Sequence, residues 1–169
     1  MEFAQFHESR RRWIRTRMER YILQEELATK LRDHGGQIDV EATGWVRESF
    51  DGDFAQLAEV IVEIRLRGPR IDDSVLSHLA EHRNVLGALL RLDLAESNVT
   101  DDGLECLRGL TSLEEMNLAG TRVTNVGLKT LQRMHGLSKV DLRGTATSWW
   151  GRCQLRWRHS HLTLVSGRL

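Results

Sequence analysis

Three ladders of apolar residues stand in register in this chain: Leu89, Leu92 and Leu94; Leu113, Met116 and Leu118; Leu137, Val140 and Leu142. Each set follows the last by about 24 residues, a period at which one supersecondary unit stacks on the next. Within a ladder the apolar residues alternate with polar ones, as in Leu92-Asp93-Leu94. That is the period of a strand with one face turned inward. The register continues through Ser97, Thr121 and Thr145, then Val99 with Val123, Asp101 with Asn125, Gly103 with Gly127, Leu104 with Leu128, Leu107 with Leu131 and Leu110 with Met134. Beyond the turn the period becomes helical, with Leu104, Leu107 and Leu110 on one stripe.

Each unit therefore reads strand, turn, helix. A hydroxyl at Ser97, Thr121 and Thr145 can satisfy backbone groups where the chain leaves the strand. Thr100-Asp101 and Thr124-Asn125 supply helix N-cap chemistry, with Asp102 favourable against the helix dipole. A single unit cannot bury its own apolar face; stacking makes one continuous core. An earlier, degenerate copy places Ile61, Ile64 and Leu66 on the ladder, Pro69 at the hydroxyl position, and Leu76 and Leu79 on the helix, with four extra residues around His82 to Val85. The units run 61–88, 89–112 and 113–136, with a partial one over 137–147.

The ladders and the turn Val99-Thr100-Asp101-Asp102-Gly103-Leu104, repeated in altered form from Val123 to Leu128, resemble the cysteine-containing leucine-rich repeats of F-box adaptors and many bacterial repeat proteins. The resemblance covers residues 55–147. It implies an α/β fold, a short leucine-rich-repeat solenoid with a parallel concave sheet, used to hold another protein. No F-box-like segment is evident ahead of the repeats, so the adaptor role does not carry over.

Ahead of the repeats, residues 1–54 read as an N-terminal helical cap region. From Phe6 to Leu31 the apolar residues Ile14, Met18, Ile22, Leu27 and Leu31 approximate a helical stripe, and Asp33-His34-Gly35-Gly36 is a helix stop. Gln37 to Val40 suits a short strand, and Trp45, Val46, Phe50 and Phe54 offer apolar material to close the first unit. An open stack exposes its core, so a cap is expected there.

The chain carries 24 basic and 24 acidic residues, so its formal charge is balanced overall. The charge is nevertheless uneven: Arg10, Arg11, Arg12, Arg15, Arg17 and Arg20 crowd the start, and no acidic residue follows Asp141. Contact of a nucleic acid or an anionic membrane surface through these basic ends is the alternative function. Against it, Glu8, Glu19, Glu25 and Glu26 are interleaved with the arginines as on a solvated helix face. With only Cys106 and Cys153, and no apolar run at the start long enough for a signal peptide or membrane span, a reduced cytoplasmic setting is expected.

One motif has catalytic form. His78-Leu79-Ala80-Glu81-His82 matches H-x-x-E-H, in which two histidines one helical turn apart bind zinc and the glutamate activates water. It falls on a helix whose buried stripe is Leu76 and Leu79, and no third ligand is apparent, so zinc hydrolysis is a remote alternative. Cys106 reads as a packing or surface residue, and His159 with His161 is weak ground for a metal site. Neither an enzyme activity nor a cofactor is expected.

The residues between the leucines form columns across the sheet: Glu63, Arg91, Glu115, Lys139; then Arg65, Asp93, Asn117, Asp141; then Arg67, Ala95, Ala119, Arg143. Arg91, Asp93, Glu115, Asn117, Lys139 and Asp141 are the expected contacts for a protein or peptide partner. The first column alternates in sign, so part of its charge is expected to be satisfied inside the sheet. No aromatic anchor stands in these columns, and Trp149 and Trp150 are candidates to supply one from the adjoining end. Residues 148–169 read as an unpatterned, basic, tryptophan-rich tail without a helical stripe. Three readings stand open for it: a divergent cap, a partner-binding tail, or a non-native terminus. Were it to leave the last leucines uncovered, that apolar edge would favour self-association.

Overall fold

The computed structural model describes residues 2–42 and 59–166, with side chains from residue 15 onward except 17, 38–42 and 59. Trp45, Val46, Phe50 and Phe54 lie outside the described residues, as do the side chains of Arg10, Arg11 and Arg12. The elements in chain order are α1 (Glu2–Asp33), β1 (Gln37–Ala42), β2 (Glu59–Arg65), α2 (Asp73–Glu81), β3 (Arg91–Asp93), α3 (Asp101–Cys106, continued by a 3-10 turn Leu107–Gly109), β4 (Glu115–Asn117), α4 (Asn125–Leu131), β5 (Lys139–Asp141), α5 (Trp149–Arg158) and β6 (Thr163–Val165). No helix among the described residues is long and apolar enough to cross a membrane.

The six strands among the described residues form one sheet in chain order. β2 to β6 are parallel, and β1 pairs antiparallel with β2 at the starting edge. The ladder spacing sets the register, with Ile64, Leu92, Met116, Val140 and Leu164 in line. The helices return each strand to a position beside its predecessor, and one continuous core of leucines runs between sheet and helices. Removing one such side chain from water contributes about 1.5–3 kcal/mol.

Each strand leaves the sheet through the same turn. The hydroxyls of Ser97, Thr121 and Thr145 donate to the carbonyls of Leu94, Leu118 and Leu142 at 2.6, 2.7 and 2.8 Å. The preceding residue is left-handed, with φ of 69° at Gly120 and Gly144 and 57° at Glu96. Glycine suits that conformation, whereas at Glu96 it is held against a side chain's steric preference.

The helices are tied to one another by a relay of polar side chains. Asp73 accepts from the Thr100 N–H and hydroxyl at 2.9 and 2.6 Å, and Asp101 does the same for Thr124 at 2.8 and 2.6 Å. Asn125 accepts from the Ser148 N–H at 2.9 Å and donates its amide to the Ser148 hydroxyl at 2.9 Å. Each hydroxyl in turn accepts from its own helix, at Asp102, Val126 and Gly151. One side chain thus caps a helix and docks it on the unit before. The glycines at the following turn are required by this arrangement: a Cβ at Gly103, Gly127 or Gly151 would overlap the Asp73, Asp101 or Asn125 side chain.

Two expectations are corrected. Residues 148–166 are not unpatterned: Ser148 caps α5, Leu155 is fully buried, and β6 adds a further parallel strand. The last leucines are therefore covered, with Leu137, Val140 and Leu142 all buried, so the premise for self-association through them is not met. At the other end, α1 packs through Leu23, Leu27, Ala28 and Leu31, while Met18 and Ile22 are exposed. The five-residue step from Ile22 to Leu27 rotates the face by about 140°, so the expected stripe was two faces. The helix stop is as expected, with Gly36 donating to the Leu31 carbonyl at 2.8 Å and Gly35 left-handed.

Candidate functional site

The open face of the sheet carries the side chains that alternate with the buried ladder. Arg91, Asp93, Glu115, Asn117, Lys139 and Asp141 all line one open depression of about 350 Å³, together with Glu63, Arg143 and Val165. The register places Glu63, Arg91, Glu115, Lys139 and Thr163 side by side on successive strands, and Arg65, Asp93, Asn117, Asp141 and Val165 in the next column. All six expected residues are thus brought together.

Much of their charge is engaged within the sheet. Arg91 donates to Glu63 at 2.7 Å, Lys139 pairs with Glu115 at 3.0 Å, and Arg65 reaches Glu63 at 2.6 Å. Arg67 closes on Asp93, and Arg143 clamps Asp141 through Nε at 2.9 Å and through a second nitrogen at 2.6 Å. The third column, read from sequence as part of the surface, is what neutralises the second. Asp93, Asn117 and Asp141 also accept from the N–H two residues on, at Ala95, Ala119 and Arg143, with distances of 3.1, 3.1 and 3.0 Å. These three side chains therefore hold the strand-exit turns besides facing the depression.

Glu63 is held between two arginines, Arg65 and Arg91. Burial on its own would raise its carboxyl, but the Arg91 hydrogen bond and the charges of Arg65 and Arg91 outweigh burial and leave it below its ordinary range. A depressed folded value stabilises the protein above the unfolded value near 4.5, and that stability is lost as pH falls through the lower folded value. The urea midpoint is accordingly expected to fall less steeply between about pH 5 and pH 3 in Glu63→Gln than in the native chain. Parallel curves for the two proteins would contradict this role.

Several histidines among the described residues make local contacts. His78 is exposed on α2, and His82, at its C-terminus, places Nδ1 2.9 Å from the His78 carbonyl oxygen. Among the described residues no group of three or more His, Cys, Asp or Glu converges as a metal site would require. His159 is buried at the end of α5, with Nε2 2.9 Å from the Gln132 carbonyl oxygen and its ring edge-on to those of His135 and His161. Cys106 and Cys153 are free and half-buried, and Cys106 Sγ lies 3.7 Å from Ser77 Oγ.

Trp149 and Trp150 do not reach the sheet depression. They begin α5, where Trp150 and Trp157 line a separate cleft of about 610 Å³ between α4 and α5. A helix start displaced from the strand by the turn cannot present its side chains to the sheet's open face. No protein-family model matches this chain, and no curated protein matches it.

Proposed function

We propose that the chain is a short leucine-rich-repeat solenoid with an N-terminal helical cap, working without catalysis as a protein-interaction module in the cytoplasm. Its partner, a protein or peptide, is held on the concave sheet face. The observation that supports this most directly is the gathering of Arg91, Asp93, Glu115, Asn117, Lys139 and Asp141 around one open depression. Such a face offers both signs of charge at strand spacing, which suits a polypeptide carrying both signs better than a polyanion.

The internal pairing shapes what this face can bind. Exposed pairs such as Lys139–Glu115 are worth little by themselves, so a partner can exchange them at small cost. Among the described residues no aromatic side chain lines the depression, so the contact is expected to be transient.

The test replaces Arg91, Glu115 and Lys139 together with alanine, sparing Asp93, Asn117 and Asp141 because these hold turns. Captured proteins are compared quantitatively between native and triple-variant chains of matched circular dichroism. Partners depleted by the variant support the concave-face reading. Partners retained equally by both proteins overturn it.

A further inference from the structure

The last helix carries an unusual outer face. Opposite buried Leu155, helical spacing gathers Trp149, Trp150, Cys153 and Trp157 on one side of α5. Trp149, Trp150 and Trp157 are 56, 76 and 90% exposed, and Val126 on the neighbouring α4, one unit earlier in register with Trp150, is 62% exposed. Single exposed apolar residues are ordinary on a protein surface, but a contiguous group of this size marks a contact surface.

The charges on α4 and α5 themselves are all basic, and the acids of the adjoining α3 are engaged, Asp101 with Thr124 and Gly127 and Glu105 with Thr130 and Arg108. Arg156, Arg158 and Lys129 are exposed around the tryptophans, and neither α4 nor α5 contains a carboxylate. Arg152, by contrast, is turned inward, donating to the Thr147 hydroxyl at 2.8 Å. The nearest acid in sequence, Asp141, belongs to the sheet face and is clamped by Arg143.

From this patch we infer that the outer face of α5 docks reversibly on anionic phospholipid. The tryptophans enter the boundary between headgroups and acyl chains, and Arg156, Arg158 and Lys129 lie against the lipid phosphates. The indole ring, apolar with one N–H donor, is the side chain best matched to that boundary. A helix with tryptophan on one side and arginine beside it lies in the interface plane. Protrusion favours lipid over an acidic peptide: Trp157, though it borders the cleft between α4 and α5, is 90% exposed and can enter a headgroup layer without that cleft being filled. The surface is separate from the sheet depression, so its test is independent of the concave-face reading.

The experiment co-sediments the full chain with vesicles of phosphatidylcholine alone, or with about 30% phosphatidylglycerol added to supply the surface charge. Binding is expected only to the anionic vesicles, weakening with salt. Trp150→Ala/Trp157→Ala is expected to lower partitioning at least about tenfold, and Arg156→Gln/Arg158→Gln by about fivefold for each cation removed. Both double variants should keep the native unfolding midpoint, since the four side chains are exposed. Partitioning that is absent, indifferent to lipid charge, or unaltered in the tryptophan variant overturns the inference. So does tryptophan-dependent binding of polyglutamate or single-stranded DNA in the absence of vesicle binding.

Discussion

Asp101→Ala is expected to lower the free energy of unfolding by about 3 kcal/mol, the loss of several hydrogen bonds to one ionised acceptor offset in part by water. The Asp101 carboxylate accepts from the Thr124 N–H at 2.8 Å, the Thr124 hydroxyl at 2.6 Å and the Gly127 N–H at 2.9 Å. Alanine leaves two N–H groups at the start of α4 without that acceptor and removes the tether between α3 and α4. Asp101→Asn should cost about 1 kcal/mol or less, because a primary amide makes one hydrogen bond in the opposite sense. Asn125 performs that role one unit later, donating its amide to the Ser148 hydroxyl.

A double-mutant cycle separates this tether from a general loss of polarity. Gly127→Ala in the native background forces a Cβ into the Asp101 carboxylate. In the Asp101→Ala background the closest overlap is gone and only the Leu104 and Val123 methyls remain, at 3.0 Å, so the two substitutions should be less than additive. Urea denaturation of the four proteins measures the coupling. Strict additivity, or an alanine variant as stable as the native chain, would refute the relay.

Leu155→Ala is expected to cost about 2–4 kcal/mol, the range for truncating a buried leucine whose cavity cannot fully collapse. Leu155 is completely inaccessible, at the position that Leu107 and Leu131 occupy in the preceding units. Trp157→Ala, two residues on but 90% exposed, should change stability by less than about 0.5 kcal/mol. The pair therefore tests whether residues 148–166 belong to the core: a docked helix gives a large difference between the two variants, and an undocked one gives two small effects. Hydrogen exchange offers a second readout, since loosening α5 should first expose the Thr163 amide, which donates to the Ser138 carbonyl at 2.8 Å.

The signal for α5 was present in the chain but incomplete. Ser148 continues Thr100 and Thr124, Gly151 continues Gly103 and Gly127, and Leu164 continues Leu92, Met116 and Val140. What obscured the series is the replacement of Asn125, Val126 and Leu128 by Trp149, Trp150 and Arg152. Asn125 grips the following helix at Ser148 and Leu128 packs beside Gly151, whereas Val126 is exposed.

The candidate site was legible to a different depth. Two-residue alternation placed Arg91, Glu115 and Lys139 on one face without ambiguity, and the register of β3, β4 and β5 agrees residue for residue. Alternation gave no indication that Asp93, Asn117 and Asp141 each accept a hydrogen bond two residues downstream. An aspartate or asparagine at the end of a strand reads equally as a surface group or a turn holder, and local backbone geometry decides which.

Sequence alone determined the unit length, the buried ladder, the strand faces and the turn hydroxyls, because these follow from periodicities of the covalent chain and from the need to bury every leucine. Only the tertiary structure decided the partners. Asp101 reaches Thr124, Arg67 reaches Asp93, and the tryptophans stand outside rather than over the sheet. Hydrogen bonds and ion pairs act over a few ångströms, between groups far apart along the chain, so their pairing exists only once neighbouring units are stacked in register.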